Sequence, residues 1–246
     1  RGGEAASVLP DNRQDLDHLQ IDLGGGRKTR LAQFLEDAFT DGFIVVHRGR
    51  IVHERYLNGM TERTLHLSQS VAKSITATIA GCLIGDGLID PAAPLTEYVP
   101  ELAATAYVGA TVQHVLDMTS GVRFSEEYTD PVSDIGKTEV ASGWKPVPAD
   151  APASMDWPAT VFEQIMGLTT REAEHGSRFL YRSIETDVLA HAMQRASGQP
   201  FADLVSARLW QRIGAEESAA FTVDPSGYPL ADGGFNATLR DYARFG

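Results

Sequence analysis

The chain has 246 residues, 43% of them hydrophobic and 22% charged, a composition that excludes a disordered tail, a collagen-like chain and a coiled coil. Its 33 acidic residues outweigh 21 basic ones, for a net charge of −12; a field of that sign repels phosphate backbones, so no nucleic-acid partner is expected. No apolar run reaches the roughly 18 residues of a membrane span, and the single cysteine, Cys82, excludes an internal disulfide framework and a Cys-rich zinc site.

Residues 1–30 are polar, Gly-rich at 24–26, and read as an irregular lead-in without the n-region or h-region of a signal peptide. A cytoplasmic location is the expectation. Leu31, Phe34, Leu35 and Ala38 fall on one face of a short helix over 31–39. Two β-branched runs flank Arg48-Gly49-Arg50, which predicts a hairpin over 42–56, with His47 and His53 as surface positions. The stretch 68–87 reads as a helix closed by Gly85-Asp86-Gly87, and 111–118 as a short helix with Thr111 at its start. Residues 121–160 are rich in Pro, Gly, Asp and Ser and predict a long excursion with little regular structure, packed through Trp144 and Trp157. Helices are expected over 160–168, over 183–197 with Gly198 as C-cap, over 201–212 and over 239–245, with a strand over 219–223. Strands first, helices in the middle and mixed structure at the end suggest an α+β fold with an inserted helical region. The α/β part is assigned to 31–88 and 219–246, and the mostly helical part to 89–218.

The sharpest chemical feature is Ser70-Val71-Ala72-Lys73. The helix that follows carries apolar residues on nearly every face, so it is expected to be buried. A buried lysine is costly unless paired or neutral. Residues three apart share a helix face, so Lys73 can reach the Ser70 hydroxyl. Burial and the positive helix end both favour the amine form, a base able to activate a serine. The Ser70 N–H, at a helix start, is a candidate oxyanion donor. The bland alternative is a helix-start serine with a lysine whose head reaches water. A chain this long contains about one S-x-x-K by chance, and a second match, Ser142-Gly143-Trp144-Lys145, is present; Gly143 and Pro146 argue against a helix there.

Tyr181-Arg182-Ser183 follows Gly176 and precedes a helix, so it fits a loop presenting a side chain; packing at a helix start is the alternative. Competing chemistries lack their residues. There is no G-x-S-x-G elbow and no H-E-x-x-H, and the seven histidines show no ligand spacing. Gly24-Gly25-Gly26 lacks the Lys-Ser/Thr of a phosphate loop and reads as a flexible turn. No cofactor and no metal are called for.

Ser70-Val-Ala-Lys73, Thr111-Val-Gln-His-Val-Leu-Asp-Met-Thr-Ser-Gly121 and Tyr181-Arg-Ser183, in that order, resemble the serine β-lactamase-like superfamily, in its branch of class C-type β-lactamases, related esterases and D-aminopeptidases. The stretches 89–102, 127–131, 142–144, 181–190 and 231–245 resemble the 6-aminohexanoate-dimer-hydrolase branch, which cleaves nylon oligomers. The resemblance runs from about residue 40 to the end. It implies an antiparallel sheet flanked by helices plus a mostly helical domain, the β-lactamase and penicillin-binding-protein arrangement. It also implies an acyl-enzyme on Ser70, with Lys73 as base and Tyr181 as proton shuttle.

In the dimer-hydrolase branch a tyrosine, a carboxylate and a tryptophan face the substrate; the matching positions are Tyr128, Glu139 and Trp144. Glu139 stands where that branch has Asp. For Trp144 loop packing remains the alternative. Asp232, before Gly233-Gly234, is a further pocket candidate or a turn residue. The superfamily's third element, a Lys-Thr-Gly or His-x-Gly on a late strand, is not matched by Lys137-Thr138-Glu139 or His47-Arg48-Gly49. The expectation is a fragment of a longer protein that lacks the last strands and is inactive alone. The function implied is hydrolysis of a small linear amide or a short-chain ester, with a carboxylesterase of the same fold and a non-catalytic penicillin- or peptide-binding sensor as the alternatives. A homodimer is left open.

Overall fold

A computed structural model describes Gly2, Gly3 and all residues from 5 to 246. In chain order the elements are β1 (Gln20–Asp22), β2 (Lys28–Arg30), α1 (Leu31–Asp37), β3 (Gly42–His47), β4 (Arg50–Tyr56), β5 (His66–Leu67), α2 (Ala72–Gly85), α3 (Leu95–Tyr98), α4 (Val112–Leu116), α5 (Asp134–Ala141), α6 (Val161–Gly167), α7 (Ile184–Ser197), α8 (Phe201–Val205), β6 (Ala220–Phe221), β7 (Phe235–Ala237) and α9 (Leu239–Phe245). The mixture of small sheets and helices is the α+β class that the sequence pattern suggests. No helix among the described residues is long and apolar enough to cross a membrane.

The chain divides into two compact units. The first comprises Arg1–His66, Trp210–Ala219 and Asn236–Gly246. Its β3–β4 hairpin is antiparallel, with a bulge between Val45 and Val46. Arg240 of α9 clamps the buried Glu54 of β4 through two hydrogen bonds of 2.7 and 2.9 Å, a bidentate pairing suited to a guanidinium. Thr238 caps α9, and Asp241 in its first turn accepts from the N–H groups of Glu216 and Glu217 at 2.8 and 2.9 Å. Those bonds tie two distant chain segments together. His53 corrects an expectation. It is buried, and its Nδ1 lies 3.0 Å from the Gln14 carbonyl, because the lead-in runs along β4 rather than leaving that face to water.

The second unit comprises Leu67–Leu209 and Ala220–Phe235. Helix α7 is its centre. Every residue from Ile184 to Met193 is buried, and α2, α3, α4, α6 and α8 all contact it. Gly198 ends it at φ +67, the left-handed conformation a helix C-terminus favours. Helix α2 buries Ile75, Ile79 and Leu83; each such side chain removed from water contributes about 1.5–3 kcal/mol. Burial of α2 is one-sided, contrary to expectation: Val71, Ser74, Ala77 and Gly81 form an exposed stripe. On that stripe Ala77 and Gly81 are small residues, not a second packed face.

Two further expectations change. The 121–160 excursion contains α5, capped by the Ser133 hydroxyl on the Gly136 N–H at 3.1 Å. Gly136 is required by packing, since a Cβ there falls 2.4 Å from the Pro131 carbonyl oxygen. The expected 201–212 helix stops at Val205 and continues as one wide turn of π type over Ser206–Trp210.

Candidate active site

Ser70 lies in a tight 3-10 turn, Gln69–Val71, that leads into α2. Gln69 holds φ +47, a left-handed conformation that side chains other than glycine rarely adopt. The Ser68 N–H donates to the Phe235 carbonyl at 2.8 Å, which anchors the turn from the other side. Lys73 follows in the first turn of α2. Its Nζ lies 3.2 Å from Ser70 Oγ and donates to the Asp232 carbonyl oxygen at 2.8 Å. Lys73 is half-buried, so this backbone acceptor, rather than deep burial, sets the position of the amine.

Tyr181 comes from the loop before α7. Its hydroxyl lies 2.8 Å from Ser70 Oγ, and its ring stands 5.2 Å from Lys73 Nζ. The loop is fixed on both sides of Tyr181. The Leu180 N–H donates to the Met118 carbonyl at 3.0 Å. The fully buried Arg182 donates to the Leu180 carbonyl at 3.0 Å and to Glu172 at 2.9 Å. The Ser183 N–H donates to the Glu126 carboxylate. A buried guanidinium is costly unless paired; two of its nitrogens are, through Leu180 and Glu172, and those bonds bracket the tyrosine.

Ser70 opens into a cavity of about 260 Å³ whose walls include Gln69, Tyr128, Glu139, Trp144, Ser183 and Asp232. The geometry therefore gathers all seven residues singled out from the sequence: three meet at one oxygen, and four line the adjoining space. Burial and the neighbouring Glu126 carboxylate push the Tyr128 hydroxyl up to about 12, so it stays protonated and remains a donor. Burial raises the Asp232 carboxyl above its ordinary range, against the pull of Lys73. Glu139 is not free. Lys145 Nζ pairs with its carboxylate at 2.6 Å. That contact also disposes of the second S-x-x-K, because Ser142 Oγ donates to the Glu139 carbonyl at 2.9 Å and Lys145 turns to the Glu139 carboxylate. No group of three or more His, Cys, Asp or Glu side chains suited to a metal occurs among the described residues.

Sequence reasoning passed over Gln69, Glu126 and Asp187. Gln69 carries no sequence signal, since its strain is visible only as a backbone angle. Asp187 lies inside the stretch 181–190, where Glu185, Thr186 and Asp187 stand together and no local pattern marks one of them as buried.

The beta-lactamase family model matches residues 29–246. The chain is 38% identical over 229 residues to the 6-aminohexanoate-dimer hydrolase of Paenarthrobacter ureafaciens, which covers 93% of this chain and 56% of that protein. A structure provisionally named a 6-aminohexanoate-dimer hydrolase, from Bacillus anthracis, superposes with a TM-score of 0.90 at 32% identity, over 100% of this chain and 63% of that one. The octameric penicillin-binding protein homologue from Pyrococcus abyssi matches with a TM-score of 0.65 at 17% identity, over 87% of this chain and 53% of that one, a likeness of fold alone. The chain thus spans less than two thirds of the length of each of these relatives.

Proposed function

The chain belongs to the beta-lactamase family, and from that premise we propose that it acts as a serine hydrolase that cleaves linear amides of the 6-aminohexanoate-oligomer type through an acyl-enzyme on Ser70. The observation that carries the reading is a single oxygen with two proton-handling partners. Ser70 Oγ lies 3.2 Å from an amine and 2.8 Å from a phenol, at the wall of a cavity. The amine form of Lys73 takes the hydroxyl proton as Oγ attacks the substrate carbonyl carbon. An amide nitrogen is a poor leaving group unless protonated, and Tyr181 is the donor for it. Collapse of the tetrahedral intermediate breaks the C–N bond, releases the amine and leaves an ester on Ser70. The Lys73 ammonium restores the Tyr181 proton. Water then attacks that ester and gives its proton to the same pair, the bond from carbonyl carbon to Oγ breaks, the carboxylic acid leaves, and Oγ takes the proton back as the Ser70 hydroxyl.

The cavity suits a narrow chain. Trp144 and Tyr128 offer flat apolar faces, and Glu139 is a carboxylate that a substrate ammonium can engage by displacing Lys145. The similarity to 6-aminohexanoate-dimer hydrolase supports a substrate with a free amine at one end.

The test uses the full-length protein and Ser70→Ala. Each is mixed with a short-chain p-nitrophenyl ester, quenched and mapped by peptide mass. An adduct on Ser70 that decays, and is absent from the variant, supports the hydrolase. An adduct that persists indicates a sensor instead, and an unlabelled Ser70 sinks the reading. Relative rates on the ester and on the linear dimer of 6-aminohexanoate then separate an esterase from an amidase.

A further inference from the structure

We infer that Asp187 is a positioning residue for Lys73: it fixes the Ala231-Asp232 backbone whose carbonyl holds the Lys73 amine against Ser70. The inference rests on the Ser70–Lys73 reading above. Asp187 lies on the wholly buried face of α7 and is itself fully buried. A carboxyl in such a place is costly unless it is hydrogen-bonded or neutral. Its Oδ1 accepts from the Ala231 N–H at 2.9 Å, while Oδ2 has no hydrogen-bond partner. It is not half of an ion pair.

The same short segment is held from the opposite side by α2. Thr76 Oγ1 donates to the Ala231 carbonyl oxygen at 2.9 Å. One residue on, the Asp232 carbonyl accepts from Lys73 Nζ at 2.8 Å. Ala231 is therefore gripped at its N–H by α7 and at its carbonyl by α2, and the next carbonyl is the acceptor for the base. A lysine side chain has four rotatable bonds and much rotamer freedom to lose when held in one place. Without a fixed acceptor the amine samples positions away from Ser70. A displacement of about 1 Å costs up to roughly a hundredfold in rate.

The direction of the Asp187 shift is compatible with this role. Burial pushes its carboxyl well above the ordinary range, and the nearby Asp232 carboxyl adds to the rise. What Asp187 supplies to the segment is an oxygen that accepts the Ala231 N–H, a task an asparagine amide oxygen also performs. The chain requires the acceptor at this point, not the charge.

The experiment is a pre-steady-state burst on the full-length protein with a short-chain p-nitrophenyl ester. Burst amplitude counts competent sites, and burst rate reports acylation of Ser70. Asp187→Ala and Asp187→Leu are expected to acylate at least tenfold more slowly per competent site, with KM nearly unchanged. Asp187→Asn is expected within threefold of the parent. Leucine fills the space without accepting, so it carries the test if the alanine variant does not fold. A purely structural role lowers amplitude and leaves the rate intact; that outcome, or an asparagine variant as slow as leucine, overturns the inference. A parent protein with no Ser70 adduct fails at the earlier step and removes the premise instead.

Discussion

Lys145 holds the Glu139 carboxylate at 2.6 Å, at the wall of the cavity that Ser70 enters. The ammonium of an amine-terminated substrate has to displace Lys145 to reach Glu139. The lysine is largely exposed while Glu139 is not, and a pair with one solvated partner is worth about 0.2–1 kcal/mol. Lys145→Met is therefore expected to lower KM for the 6-aminohexanoate dimer by up to about fivefold. A neutral p-nitrophenyl ester gains nothing from the change. Glu139→Gln is expected to raise KM for the dimer and spare the ester. Steady-state kinetics on both substrates check this; equal effects on the two refute an ammonium role for Glu139.

Tyr181→Phe separates proton donation from packing. It keeps the ring beside Lys73 and deletes the hydroxyl that lies 2.8 Å from Ser70 Oγ. Loss of a general acid typically costs about 10²–10⁴ in rate. The linear amide needs that proton for its leaving nitrogen, whereas p-nitrophenolate departs without one. The amide rate should fall by at least a hundredfold and the ester acylation rate by much less. Parallel losses on both substrates would assign the hydroxyl to another task, such as orienting Ser70.

Several of these relationships are legible in the amino-acid sequence, and the physical reasons are specific. The hairpin over 42–56 is written in its β-branched runs, and α7 in its helical period and Gly198. Helix α5 was hidden because Gly136 suppresses helix propensity, although Ser133 is a good cap and Asp134 suits the first turn. Its glycine answers to Pro131, five residues earlier, a contact no local pattern encodes. At the site, Ser70 and Lys73 lie one helical turn apart, and their spacing alone predicts the contact. Tyr181 lies 111 positions from Ser70, and only family resemblance connected them. The grip of Asp187 and Thr76 on Ala231 needed the fold, since it joins three separate segments.

Glu185 supplies a pH test of the bracket behind Tyr181. It is fully buried in α7, hydrogen-bonded by Ser120 and near Arg182. Burial raises its carboxyl from 4.5 to about 7, against the pull of Ser120 and Arg182. A raised carboxyl means that the folded state prefers the protonated form. Its contribution to stability is fully present below about 4.5 and is lost as pH rises through about 7. A shift of that size corresponds to something on the order of 3 kcal/mol. Urea unfolding between pH 5 and pH 8 should show Glu185→Gln gaining stability relative to the parent as pH rises, while His191, whose imidazole burial pushes down to about 4, acts in the opposite sense in both proteins. Asp187 and Asp232, raised in the same sense, leave a residual slope in the variant. A variant whose slope matches the parent's would remove Glu185 from the account.

The strained backbone at Gln69 yields the last prediction. Its φ of +47 immediately precedes Ser70. A side chain in the left-handed region costs roughly 1–2 kcal/mol, whereas glycine pays no such steric cost. Glycine gains unfolded-state entropy in exchange, roughly 0.5–1 kcal/mol. Gln69→Gly is thus expected to leave stability unchanged or raise it by up to about 1 kcal/mol. Gln69→Val, β-branched and stiff at χ1, is expected to lower it by about 1–3 kcal/mol. Urea midpoints of the two variants decide the matter. Because the Gln69 side chain also lines the cavity, stability rather than KM is the quantity to read. A glycine variant less stable than the valine variant would show that the side chain, and not the backbone angle, holds the turn that presents Ser70.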